Sequence, residues 1–413
     1  MPSIESIQEA IRSEGLAGWL FYNYKHRDPL SDRILEIPAD TVNTRPWYLL
    51  VPGEGKPVKI VHSIETSVLA HLPGRETPYG TRNELRDRLA EAAEAVGGPV
   101  CAGYSELLPA LSFLDHGTAR LLEECGFRLT GSAGCLQRVL GALPAEGRDS
   151  HRRAGAHLYE IVSMAWKQIT KDLSEGNPVT EGSIRDYMLA ELDKRNLTTD
   201  HPPIVAVGPN SGDPHYTAAG DGDPIVRDRV VLFDIWAKEK SPDAVYADIS
   251  WMGYTSPTPP IRIVDRFQTL THARDMAFSY IAERCAGARS EGPAGPGPAG
   301  SVSRGRQKSG EPDFPTGAEV DRKVREYFRE RGLESFLRHR TGHAIDTECH
   351  GFGANIDSVE FPEERRLIEG SCFSLEPGLY GEEYGMRTEI DVLIENSRPT
   401  ITGGRPQTEL LTL

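Results

Sequence analysis

The feature that most constrains this chain is the placement of acids inside its apolar runs. "VVLFDIWAKE" carries Asp234, "AVYADISWMGY" carries Asp248, "CFSLEPGLY" carries Glu376 and "GMRTEIDVLIE" carries Glu389. A buried carboxylate is strongly unfavourable unless it is paired, hydrogen-bonded or bound to a cation. Taken singly, Asp234 and Asp248 read as cap or turn residues at strand ends. Two strands of a hairpin joined through "KEKSPD" would bring both to one point. Glu376 reads equally as a salt-bridged core acid and as a functional one. In the last run, strand alternation puts Met386, Thr388, Ile390, Val392 and Ile394 on one face and Arg387, Glu389 and Asp391 on the other. That strand is either half-exposed, or it points Arg387 and Glu389 together into a polar site.

The segment "HRTGHAIDTECH", His339 to His350, holds three of the chain's 12 histidines. One imidazole added to the four carboxylates gives five ligands, mostly hard oxygen. Such a set suits two divalent ions sharing bridging carboxylates, with manganese or a similar metal ahead of a lone structural zinc. The six cysteines include no Cys-x-x-Cys pair, which argues against a closed zinc site and against a disulfide framework. Free thiols in a reducing compartment are expected, with Cys349 a packed thiol rather than a ligand.

At 413 residues, two domains are expected. The net charge of −15 excludes nucleic acid as a natural partner, because phosphate binding needs a basic footprint. The N-terminal "MPSIESIQEAIRSEG" lacks the pattern of a signal peptide, and no apolar run reaches the roughly 18 residues of a membrane span. A cytoplasmic protein is the expectation. The first part reads as a small α/β domain: a helix after Ser3 stopped by Gly15, strands at "GWLFYN", "WYLLVP" and "KIVH", and a further strand, helix and strand from "VCAGY" to "FRLTG". The boundary is placed near 145 in "GALPAEGRDS", with a long helix beginning near His151 and a second over 181–195. Strands dominate from 204, with helices at 261–285 and 317–331. Segment 287–313, rich in Gly, Pro, Ser and Arg, is expected to be a flexible solvated insertion.

These acids and histidines fall in an order that resembles the pita-bread metallopeptidases: methionine aminopeptidase, aminopeptidase P, prolidase and the non-metal creatinase. The motifs are "FDIWA", "YADIS", "TGHAI", "LEPG" and "RTE" over about 150–413. Residues 1–145 are similar to the N-terminal domain of the prolidase, aminopeptidase P and creatinase group. The resemblance implies an α/β (α+β) chain whose C-terminal domain has a curved antiparallel sheet flanked by helices. It implies Asp234, Asp248, His343, Glu376 and Glu389 as ligands of two divalent metals, manganese first, with cobalt, zinc and iron also suited. Asp234 would hold one ion with both oxygens, and Asp248 and Glu389 would bridge. A bridging hydroxide would attack the scissile carbonyl, with Glu376 handling its proton. His215 and His350 would stabilise the oxyanion, Arg387 would orient a bridging carboxylate, and His339 would contact the proline side of a substrate. Hydrolysis of Xaa-Pro peptides by a homodimer follows by the same resemblance.

Two residues depart from the pattern: Trp236 and Asp346 stand where glycine is common. They motivate an alternative, a small-molecule C–N hydrolase or lyase on the same fold. A non-catalytic binding relative is the third reading, and the persistence of all five ligands argues against it.

Overall fold

The computed structural model describes residues 3–287 and 313–413. The expected flexible insertion therefore lies outside the described residues except for its two end residues.

The chain divides into two compact units, the first ending at Leu140 and the second beginning at Gly141. In the first, strands β1 (Gly18–Asn23), β2 (Trp47–Pro52), β3 (Val58–His62), β4 (Arg75–Tyr79), β5 (Pro99–Ala102) and β6 (Arg128–Gly131) form one mixed sheet in the order β4-β3-β2-β1-β5-β6. Helices α1 (Ile4–Ser13), α2 (Pro29–Ile34), α3 (Arg82–Val96), α4 (His116–Glu124) and the short α5 (Ala133–Leu136) accompany it. Ser3 caps α1 through its side chain, as the sequence suggests.

The second unit opens with α6 (Ala145–Glu175). This helix starts six residues before the expected point near His151. The polar, turn-forming look of "PAEGRDS" misleads because Gly147, Ser150 and His151 face inward and are buried. Ser150 Oγ accepts the Val245 N–H, so the first turns are docked rather than frayed. Next come α7 (Glu181–Lys194), β7 (Leu197–Thr198), β8 (Ile204–Val207), β9 (Val230–Glu239), β10 (Ala247–Tyr254), α8 (Ile261–Gly287) and α9 (Gly317–Glu330). The chain ends in β11 (Cys372–Leu375), β12 (Gly378–Tyr380), β13 (Gly385–Arg387), β14 (Ile390–Glu395), β15 (Arg398–Ile401) and β16 (Leu411–Thr412).

Antiparallel β9 and β10 form the centre of the second unit's five-stranded sheet, with β8 on β9 and β16 parallel to β10. Strand β14 lies between β11 and β15. Apolar residues of α6, α7, β8, β9 and β10 make one core cluster, and those of α8, α9 and β11 to β14 make another. The expected single strand through "MRTEIDVLIE" is two strands, broken at Thr388 and Glu389. No described helix is long and apolar enough to cross a membrane.

Candidate metal centre and active site

The β9–β10 hairpin does what its sequence suggests. In register, Asp234 stands opposite Ser250, and Asp248 stands opposite Trp236. Residues directly opposite share a face of the sheet, so Asp234, Trp236, Asp248 and Ser250 all face one way. Both acids are buried.

The break after β13 brings Arg387 and Glu389 to the same place. The hydroxyl of Ser250 lies 2.7 Å from Asp234 Oδ1 and 2.8 Å from Glu389 Oε2. It has one proton and so donates to one carboxylate at a time. Ser250 also accepts from Arg387 Nε at 2.8 Å. Arg387 Nη2 pairs with Asp234 Oδ2, and its Nη1 donates to the Tyr380 hydroxyl at 3.2 Å. Asp234 Oδ2 is thus engaged by Arg387, while its Oδ1 shares the one Ser250 proton with Glu389. Burial works against the Arg387 charge, but Asp234 and the neighbouring acids hold the guanidinium firmly protonated.

His343 arrives on a segment that runs beside β11. Its N–H donates to Ser374 Oγ, and its carbonyl accepts the Ser374 N–H. Gly342 makes this approach possible: a Cβ there would lie 2.0 Å from the Ser374 carbonyl oxygen. His343 Nε2 sits 3.5 Å from Asp248 Oδ2 and 3.7 Å from Glu376 Oε1. Ligand atoms of Asp248, His343 and Glu389 all lie within 4.8 Å of one another. Glu376 is fixed by its N–H to the Thr341 carbonyl at 2.7 Å.

Two observations test whether a cation suits this cluster. Asp248 Oδ1 and Glu389 Oε1 are buried and have no hydrogen-bond partner among the described residues. Burial, and then their charged neighbours, push both carboxyls well above the usual carboxylate range. Oxygens left bare at the centre of an acid cluster are what a divalent ion satisfies, and the donors are hard oxygen plus one imidazole. The residues fit a metal.

The remaining histidines separate. His350 is exposed, and its ring meets that of His343 edge-on with centroids 4.4 Å apart. His343, then burial, depress it to about 4, so it is neutral near pH 7. Both ring nitrogens of His339 are taken, Nδ1 by the Arg340 carbonyl at 2.7 Å and Nε2 by the Tyr380 hydroxyl at 2.8 Å. Burial and then Arg387 lower it to about 3. A substrate would therefore meet the ring of His339 rather than a free nitrogen. His215 is exposed on the loop after β8, its N–H held by Asp213, and it is near enough to act on the charge of His339.

Asp346 accepts the N–H groups of Glu348 and Phe352 at 2.8 Å each. It staples the loop that carries Cys349 and His350. Trp236 packs on the apolar cluster that contains Tyr246, Ile345 and Cys349, and its indole N–H donates to Asp200 at 2.6 Å.

Sequence reading missed four contributors. Ser250 follows Asp248 by two residues on the same strand face, a signal available in the alternation. Asp391 follows Glu389 in the same way, and its carboxylate accepts the Asp248 N–H. Tyr380 joins His339 to Arg387. Arg340 is a half-buried cation with no ion pair or side-chain hydrogen bond among the described residues, although its charge reaches His339, His343 and His350. The thiol of Cys349, expected to pack, also donates to Asp248 Oδ2 at 3.2 Å. All six cysteines are free and buried.

Residues 149–288 and 311–396, more than half of the chain, match metallopeptidase family M24 and span every acid and histidine of the cluster. The chain belongs to metallopeptidase family M24. A "Probable dipeptidase PepE" of Mycobacterium bovis is 22% identical over 360 residues, covering 84% of this chain and 80% of the relative. An Xaa-Pro dipeptidase of Lactobacillus delbrueckii subsp. lactis is 27% identical over 209 residues, covering 49% of this chain and 45% of that one. Among solved structures, dipeptidase PepE from Mycobacterium ulcerans shares the fold with a TM-score of 0.64 at 20% identity, covering 99% of this chain and 96% of the other. Family M24 membership implies the use of a divalent metal, and the Asp248, His343 and Glu389 cluster is where the structure offers one a place.

Proposed function

We propose that this M24 protein is a metal-dependent peptidase cleaving Xaa-Pro bonds, of prolidase or aminopeptidase P type. In this reading 150–413 is the catalytic domain and 1–145 the creatinase/prolidase-like domain. The observation that carries the proposal is the buried convergence of Asp248, His343 and Glu389 with two carboxylate oxygens unsatisfied. The named activities of the relatives support the substrate class.

Asp234, Asp248, His343, Glu376 and Glu389 would hold the metal, with two ions as the working stoichiometry and manganese as the first to test, because oxygen donors outnumber the one imidazole. Bound cations of this kind supply Lewis-acid polarisation of a carbonyl and acidification of water. The side chains around them do the rest. Arg387 and Ser250 fix Asp234, and holding a cation with both Asp234 oxygens would require these two to share them. Glu376 would take the proton of the attacking water and return it to the leaving nitrogen. Neutral His350 would donate its N–H to a carbonyl oxygen gaining negative charge, and His215 would do so from the loop after β8. The unpaired Arg340 would take the free carboxylate of a short substrate, a planar match for a guanidinium. That favours dipeptides over longer chains.

The test is a metal-supplemented assay of Xaa-Pro dipeptides and longer Xaa-Pro peptides. Cleavage is expected to disappear on chelation and in His343→Ala and Glu376→Gln. Dipeptide-only cleavage marks a prolidase, and longer substrates mark an aminopeptidase P. Full turnover after complete chelation would sink the proposal. A metal-loaded protein that cleaves no peptide in the panel would point instead to a small-molecule amide.

A further inference from the structure

Beside the acid cluster stands a carboxylate that the mechanism does not use. Trp236 lies directly across the hairpin from Asp248, on the face that carries Asp234. It packs on the apolar cluster that includes Cys349, whose thiol hydrogen-bonds Asp248. Its indole N–H reaches outward to Asp200 Oδ1 at 2.6 Å. Asp200 sits just beyond β7, and its side chain keeps 52% of its surface exposed. Its other oxygen has one side-chain neighbour, His201 Nδ1 at 3.3 Å, on a ring that is itself 75% exposed.

Three facts give this arrangement a direction. Trp236 stands directly across from Asp248, on the face that carries Asp234, so the carboxylate that its indole holds lies on the cluster's side of the hairpin. Burial alone would lift the Asp200 carboxyl, but the Trp236 N–H and His201 hold it below the usual carboxylate range, which keeps it anionic near pH 7. Trp236 fixes one oxygen, and among the described residues the other meets only the exposed ring of His201. A fixed, half-exposed anion beside a site is a receptor for a cation.

Resting on the Xaa-Pro reading above, we propose that Asp200, oriented by Trp236, is a specificity-determining residue that selects a cationic side chain on the residue preceding the scissile bond. Arg340 then receives the carboxylate end of the same substrate, so the two charges read a short peptide from its two ends.

The experiment compares kcat/KM for Lys-Pro, Leu-Pro and Glu-Pro with metal-supplemented wild type, Asp200→Asn and Trp236→Phe. An exposed charge pair is worth a few-fold, so wild type is expected to favour Lys-Pro over Leu-Pro by about five-fold and to place Glu-Pro last. Asp200→Asn should bring the Lys-Pro to Leu-Pro ratio to about one, and Trp236→Phe should lower it in part. High salt should shrink the wild-type preference and leave the Asp200→Asn ratio unmoved. Ratios that are the same in wild type and Asp200→Asn would overturn the inference. If wild type cleaves none of the three, the Xaa-Pro reading fails instead. The inference is then decided by calorimetric binding of lysinamide against norleucinamide, where equal affinities in wild type and a lysinamide affinity untouched by Asp200→Asn would overturn it.

Discussion

The carboxylate of Asp391 accepts the backbone N–H of Asp248 at 2.9 Å. One acid thus fixes the main chain that carries another, across 143 residues of sequence. Asp391 is buried, its Oδ1 has no partner among the described residues, and burial and then Asp248 hold its carboxyl well above the usual range. What Asp248 needs from it is an acceptor oxygen, which asparagine retains. Asp391→Asn should keep metal affinity within a few-fold. Asp391→Ala should lose roughly 10–100-fold, the usual effect of removing a group that orients a ligand. Manganese titration by calorimetry separates the two, and equal losses would mean that charge rather than the bond matters.

Metal removal should change stability with a definite sign. Asp248 and Glu389 have folded pKa values above their unfolded ones. Their favourable contribution is present below the unfolded carboxylate pKa and is lost as pH rises through the raised values. In chelated protein near pH 7.5 these two acids therefore oppose folding. Manganese at about 100 times its dissociation constant should raise Tm by roughly 5 °C or more. Asp248→Asn should raise the Tm of chelated protein and abolish most of the manganese shift. A chelated variant less stable than chelated wild type would contradict this account of the cluster.

Many of the elements, and the acids set in them, are legible in the sequence for the same reason: both rest on local pattern. Helical spacing after Ser3, the apolar run that ends at Asp234 and the alternation before Asp248 need no knowledge of distant chain, whereas α2, β4 and α3 go unread. The start of α6 was not legible, because Ser150 is polar and reads as turn until Val245, 95 residues away, occupies it. Asp346 looked like an intrusion on a substrate loop. Its two backbone partners, Glu348 and Phe352, become visible only when the loop closes. Arg340 could not be singled out from 46 lysines and arginines. What marks it is the lack of an ion-pair partner among the described residues, which a sequence does not display.

Arg340 makes a prediction about substrate length. Arg340→Met keeps much of the side chain's apolar bulk and removes the charge. For an Xaa-Pro dipeptide it should lower kcat/KM by about 10-fold or more, the scale of a charge-assisted hydrogen bond to a carboxylate. For the same dipeptide with an amidated C-terminus, wild type and variant should differ little. The readout is the ratio of the two substrates. A variant that loses both equally would show Arg340 acting on the metal-site histidines rather than on the substrate carboxylate.

His151 sets the last expectation, for acid stability. It has no solvent exposure and anchors the start of α6 to two other parts of the unit. Its Nδ1 faces the Tyr246 carbonyl at 2.6 Å and its Nε2 faces Thr402 Oγ1 at 2.6 Å. A carbonyl only accepts, so Nδ1 carries the proton and Nε2 accepts from the threonine hydroxyl. Burial, aided by Arg152 and opposed by the Tyr246 bond, lowers its pKa from 6.5 to about 4. Here the unfolded chain binds the proton more readily than the folded one. The neutral ring's contribution is complete above pH 6.5 and is lost as pH falls from there to about 4. The full window is worth about 3 kcal/mol. Urea unfolding of chelated wild type and His151→Gln between pH 7 and about 4.5 tests this, since both carry the same acid cluster and its opposite pH trend. Wild-type stability should fall more steeply with acid than that of the variant. Parallel curves would mean that the folded protein accommodates a charged His151 without penalty.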